Sequence, residues 1–460
     1  MVSLSSIDFA VVGFVLLLFF SLGFSAKLKE NSSLQLIAAG RNLTLPLFVA
    51  TLVTTWYGGI LGVGEMVGTS GVSAWLLIGV PYYLFGLLFA VFMARRVRQE
   101  KPISLPERLH QCYGKPAGVI GALLVLVFAA PATHILMLAT LLQLTTSLSF
   151  EWCLLLGAGV GTLFLYKGGL LADARSNLVS FAMMYLSFAV IVIYCWSKFG
   201  SPMSVISSLP LEKQTVSGGN GIGAILAWML LGVWTFVDPG FHQRVAAASS
   251  PDTSRRGVLI SVGFWVVFDL LSMSAALYGI QALGSDKGAS LFPIFGSQVL
   301  PDGLRGIFFA GMFGVVLSAM VGYTLVSGAT IGRDLVARIH GSLPENRITL
   351  WTRIGILVAT CLGIGLAYSI PSVVYLWYDI GGILVPGLIY PTLFAYAFKR
   401  PLPNWSAVAC LVGGSVSAFL WYRFGNRADY PVLYIGLAVS TVLAAAGLIQ
   451  GAINVRRTAN

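Results

Sequence analysis

Residues 51–65 read TLVTTWYGGILGVGE, and residues 232–244 read GVWTFVDPGFHQR. Both lie in long apolar runs, and both break the rule such runs obey. Inside lipid every backbone amide must be satisfied, so non-helical backbone persists only within protein or beside a water-filled cavity. The first stretch sets Gly58, Gly59, Gly62 and Gly64 around the polar pair Thr54–Thr55, and the second carries Asp238–Pro239–Gly240. Glycine and proline are common in membrane helices, so either stretch alone reads as packing. Two such stretches, each opening a set of five apolar spans, are more specific. They predict two inverted halves whose first helices are broken at the bilayer midplane.

The rest of the chain supports a membrane reading. Of its 460 residues 57% are hydrophobic and only 10% charged, whereas soluble domains carry about 25% charged residues. That balance excludes an ordinary cytosolic enzyme, a disordered protein and a nucleic-acid binder. Apolar spans fall at about 7–25, 45–69, 73–94, 116–147, 152–166, 177–197, 221–241, 257–283, 303–331, 349–369, 372–398, 403–422 and 431–453. Strand-like alternation is absent, so the predicted fold is an all-α integral membrane protein with about 13 transmembrane helices. The first span runs into Lys27 and Lys29 rather than a small-residue cleavage site, and is expected to be retained. Residues 101–114, with Pro106 and Glu107, read as a short interfacial helix.

The net charge of +11 is a topology signal. Alternate loops hold 22 of the 28 Lys and Arg residues, and the opposite side holds only Lys198, Lys213, Lys287, Arg305, Arg423 and Arg427. Short basic loops stay cytoplasmic. The expected location is the plasma (inner) membrane, N-terminus outside and C-terminus inside. The five cysteines sit singly, without metal-ligand spacing, and read as small core hydrophobes. No HExxH, GxSxG or phosphate-binding loop occurs, so no enzyme activity is expected.

Acids within spans are the second unusual feature, because each is costly at mid-membrane unless partnered. The candidates are Glu65, Asp238, Asp269 and Asp379, while Lys and Arg lie almost wholly in loops. Each acid reads equally as a structural helix-end group or as a coupling group; together they favour a hydrated cavity. Asp173 and Arg175 read as an edge pair, and His134 beside Pro131 as a satisfied core histidine ahead of a proton relay.

Several motifs then carry a family resemblance across essentially the whole chain. They are GRNLTLP (40–46), the 51–75 stretch, LPERLHQCYG (105–114), YKGGLLADARSNLVSF (166–181), DPGFHQRVAAASSPDTSRRG (238–257) and FFAGMFGVVLSAMVGYTLVSGATIGRDL (308–335). The chain resembles the solute:sodium symporters. The resemblance implies a leucine-transporter-like 5+5 inverted repeat, with one extra helix before the core and two after it. The implied divisions are 1–43, 44–200, 201–400 and 401–460. It implies alternating-access symport of a small organic solute driven by a sodium gradient, with the solute, the sodium ion and the lipid bilayer as partners. No cofactor beyond Na+ is implied.

Carried over by motif, the sodium site falls on the carbonyls of Leu52, Thr55 and Val315 and on positions Ser318 and Ala319. Substrate positions fall on Thr54, Trp56, Gly59, Trp234, Thr235 and Tyr378. Three departures lie on cation-binding positions. Ala319 lacks the second hydroxyl, the chain reads Ser-Ala-Met-Val-Gly over 318–322 where relatives often read STxDS, and Ser176-Asn177-Leu-Val-Ser180 replaces TDxxQ. Three readings therefore stand: a sodium symporter, the same fold with proton-coupled or facilitative transport, and a non-transporting membrane sensor. The four acids are the titrating groups of the second reading. The short tail beyond the last span leaves no room for a signalling domain, which counts against the third.

Overall fold

The computed structural model describes residues 2–26, 32–162, 165–341, 343–398, 401–427 and 430–459. Lys27, Lys29, Lys399 and Arg400 lie outside the described residues, as do the side chains of Lys167, Arg456 and Arg457. The described residues are predominantly helical, and the strand-like pairing among them is an isolated bridge between Leu43 and Ala248. Its helices are α1 (Ser6–Ser25), α2 (Leu45–Ser70), α3 (Trp75–Phe92), α4 (Leu105–Thr145), α5 (Phe150–Thr162) and α6 (Leu165–Phe199). They continue as α7 (Ile222–Ala247), α8 (Pro251–Leu283), α9 (Leu304–His340), α10 (Glu345–Ser369), α11 (Val373–Tyr396), α12 (Asn404–Phe424) and α13 (Val432–Ala459). Twelve of these are long and apolar enough to cross a membrane among the described residues; α5 is apolar but has only 13 residues. The expected count of 13 is thus approximate by one short helix.

Burial sorts the helices into interior and periphery. The apolar windows of α2 and α9 are 89% and 83% buried, whereas those of α1 and α13 are 28% and 33%. The peripheral helices turn their remaining apolar surface outward, as a lipid-facing element does. α1 is fixed to the bundle by one buried charge: Asp8 receives Arg305 Nε at 2.7 Å and the amides of Gly303 and Gly306 at 2.8 Å. It also closes a capping box with Ser5 at the helix start.

Both interrupted helices break where their sequences do. In α2 the α-helix ends at Trp56, a 3-10 turn covers Tyr57–Gly59, and the helix resumes at Ile60. In α7 the α-helix ends at Leu231, a 3-10 stretch covers Gly232–Phe236, and a second helix runs from Pro239 to Ala247. Pro239 therefore starts a helix rather than ending one. It occupies the first turn, where its missing amide leaves no bond unmade. Asp238 is the cap, accepting the Phe241 amide at 2.6 Å. The start of α2 and the end of α7 are laced together, with Leu43 N donating to Ala247 O and Ser249 N to Leu43 O.

The 101–114 segment begins as expected, with Ser104 capping the Glu107 amide at 3.1 Å, but it continues into α4 through a turn at Gly114 (φ +85°). Two charge readings are corrected. Asp173 and Arg175 do not pair: Asp173 is wholly buried against Arg244 at 2.9 Å, and Arg175 donates to Ser25. Arg244, counted with the loops, sits in the interior because Asp173 and the Gly240 carbonyl compensate its charge there.

Candidate functional site

A cavity of about 120 Å³ lies beside the break in α2, bounded by α2, α3, α4, α7, α8, α9 and α11. Trp56 forms one wall, stacked on Trp265 at 4.9 Å and meeting Tyr82 edge-on at 4.8 Å. Trp234 packs on Phe128 at 4.4 Å, and His134 stacks on Tyr323 at 5.2 Å. Gly59 borders the cavity because Trp377 leaves no room for more, a Cβ there lying 2.2 Å from its ring. The cavity is mainly aromatic, with Thr55, Thr133, His134, Asp269 and four tyrosines adding polar groups, and small-molecule sites combine such elements.

Two carboxylates stand at this site, in different states. Asp238 is fully committed, accepting from Trp234 Nε1 at 2.9 Å, Tyr323 OH at 2.8 Å and the Phe241 amide. Asp269 lines the cavity directly and accepts from Tyr83 OH. The other two candidate acids are elsewhere. Glu65 accepts from Ser372 Oγ and the Val373 amide, at the start of α11. Asp379 faces Arg427 at 4.0 Å. A helix start and an exposed arginine satisfy these two charges outside the cavity.

Behind the break, α2 meets α9 at its closest. A Cβ on Gly58 would lie 1.9 Å from the Ala319 Cβ, so glycine there and a small residue at 319 are what allow the contact. Next to Ala319, Ser318 Oγ donates to Asn177 Oδ1 at 2.6 Å, and Asn177 Nδ2 donates to Thr51 Oγ1 at 2.7 Å. Arg244 Nε donates to the same Thr51 oxygen at 3.2 Å while its other arm holds Asp173. The chain Ser318–Asn177–Thr51–Arg244–Asp173 thus ties α9, α6, α2 and α7 together below the cavity. A donating Ser318 hydroxyl keeps its lone pairs available to a cation. Thr55 Oγ1 is buried at the cavity edge without a hydrogen-bond partner.

The expected site residues divide accordingly. Trp56, Gly59 and Trp234 line the cavity, and Thr55 borders it. Thr54, Thr235 and Tyr378 do not. The Thr54 hydroxyl turns back to Ala50 O at 2.9 Å, Thr235 to Gly232 O at 3.0 Å, and Tyr378 packs on Trp228. Leu52, Val315, Ser318 and Ala319 are all buried at the α2–α9 meeting. Tyr82, Tyr83, Tyr323 and Trp377 were not foreseen, and His134 borders the cavity instead of lying in plain core. The adjacent tyrosines of the PYY run (81–83) were the visible signal.

A model of the sodium:solute symporter family matches residues 36–413, most of the chain. The chain belongs to the sodium:solute symporter family. It is a secondary transporter and not an enzyme. Among relatives of this symporter, the sodium/proline symporter of Escherichia coli is 24% identical over 429 residues, covering 82% of this chain and 84% of its own. The human high affinity choline transporter 1 is 22% identical over 414 residues, covering 84% and 70%. The symporter is also similar to the substrate-bound, outward-open structure of a Na+-coupled sialic acid symporter. The TM-score is 0.81 at 13% identity, covering 98% of both chains, which shows the shared fold.

Proposed function

We propose that the aromatic cavity is the solute site, and that a sodium ion binds behind it, at the meeting of α2 and α9. The cation's ligands are the carbonyls of Leu52, Thr55 and Val315 and the Ser318 hydroxyl; Ala319 offers no side-chain oxygen. The Gly58–Ala319 approach carries this reading. It sets the interrupted turn of α2 against Ser318, so that one movement of α9 relative to α2 disturbs both the cation corner and the cavity wall at Thr55 and Gly59. Sodium is a hard cation suited to carbonyl and hydroxyl oxygens, and unwound helix segments supply such carbonyls.

The division into 1–43, 44–200, 201–400 and 401–460 is part of the proposal. Its support is the matching 3-10 interruption in the first helix of each central half. A cytoplasmic C-terminus is supported by basic loops clustering at one end. There Arg98 donates to Ala248 O, Arg108 to Ala395 O, and Arg333 pairs with Glu107.

Proton-coupled or facilitative transport is the second reading, favoured by the missing oxygen at Ala319 and the neutral Asn177. Purified protein in proteoliposomes, given sodium, potassium and proton gradients separately, decides between them. Accumulation of solute under the sodium gradient alone is the expected result. Accumulation under the proton gradient alone would replace the first reading with the second.

A further inference from the structure

The cavity holds a carboxylate and the residues lining it include no Lys or Arg. Asp269 is 4% exposed, and its partner there is the Tyr83 hydroxyl. A hydroxyl donates a bond but no charge, so a cation brought beside Asp269 would supply the compensation that its ionised form lacks in this site. The remaining donors of the lining are largely turned away from the space they surround. Trp234 Nε1 and Tyr323 OH both go to Asp238, and Tyr57 OH goes to the Trp265 carbonyl at 2.8 Å. The lining is therefore mainly aromatic, with Asp269 as its acid and Thr55, Thr133, His134 and Tyr82 as further polar side chains. Ring faces carry the negative side of the aromatic quadrupole, so they attract cations as the carboxylate does.

Resting on the assignment of this cavity as the solute site, we infer that the solute is a small organic cation, an amine or quaternary ammonium, whose charge faces Asp269 beside Tyr83 and Tyr57 in the aromatic cavity. An anionic solute would enter a cavity that has no basic side chain and holds a carboxyl group. A neutral solute would bring Asp269 no opposite charge. A solute cation supplies the charge that the lining lacks.

The test is binding to the purified full-length transporter, read by quenching of tryptophan fluorescence. The probes are choline, its uncharged isostere 3,3-dimethylbutan-1-ol, proline as a zwitterion and acetate as an anion. Choline should bind at least tenfold more tightly than the isostere, with acetate weakest. Asp269→Asn should shrink the choline-to-isostere preference to about one. Tyr83→Phe, which frees the carboxylate from its hydroxyl partner, should widen it and keeps the test open should the first variant fold poorly. Equal affinities in the native protein, tightest binding of acetate or proline, no binding by any probe, or an unchanged preference in Asp269→Asn each overturn the inference. Sodium-driven uptake in proteoliposomes is scored separately. Uptake of some other solute with no choline preference refutes the cation class alone, whereas choline binding without any sodium-driven uptake refutes the symport reading.

Discussion

At the scale of residues, the site depends on charges and atoms that have no alternative place. Arg244 and Asp173 are both wholly buried, so removing one leaves the other uncompensated, at about 3–5 kcal/mol. Arg244→Met or Asp173→Asn should sharply lower the apparent melting temperature in detergent. The double change Asp173→Leu with Arg244→Met should recover much of it, because no isolated charge remains; equal losses in all three would contradict the pairing. Gly58→Ala should abolish transport, since its Cβ would lie 1.9 Å from that of Ala319. Adding Ala319→Gly should restore uptake, and failure of that rescue would remove the close approach from the account. Trp56, Gly59 and Trp234, singled out from the sequence, all line the cavity, because large rings and bare glycine at a helix break have few other uses. Thr54 and Thr235, also singled out, do not line it, because a threonine hydroxyl in a helix can bond back to a carbonyl three or four residues earlier. Nothing in residue order distinguishes that from a hydroxyl facing a solute.

At the scale of elements, the interruptions were legible and their handedness of cause was not. The Asp-Pro-Gly run marked the break in α7, but whether proline ended one helix or began the next required the cap to be seen. With Pro239 in a first turn, Pro239→Ala should alter uptake little. Asp238→Ala should be severe: cap loss alone costs about 1 kcal/mol, and Trp234 Nε1 and Tyr323 OH lose their acceptor as well. Uptake and thermal stability of both variants, measured side by side, check this; a larger effect at Pro239 would contradict it. Tyr82, Tyr83, Tyr323 and Trp377 reach the cavity from three different helices. Their convergence is a property of helix crossing, which periodicity along one helix does not encode.

For the whole molecule, composition carried the class and the approximate number of spans, because lipid forces every crossing segment to be long and apolar. Counting basic loops misplaced Arg244, whose position in a basic run hides a buried partner more than 70 residues earlier in the chain. The orientation remains testable by itself. Gln99→Cys, exposed at the end of α3 and its short continuation, should react with impermeant thiol reagents only from the cytoplasmic face. Labelling of intact cells from outside would reverse the topology. The central claim is that sodium binds between the broken turn of α2 and Ser318 with one oxygen fewer than a pair of hydroxyls would give. It is tested most directly by solute uptake against sodium concentration, at fixed pH, for the native protein, Ala319→Ser and Ser318→Ala. The account predicts a weak sodium dependence in the native protein, a tighter one in Ala319→Ser and none in Ser318→Ala. Three flat curves, with uptake driven instead by an imposed proton gradient, would contradict it.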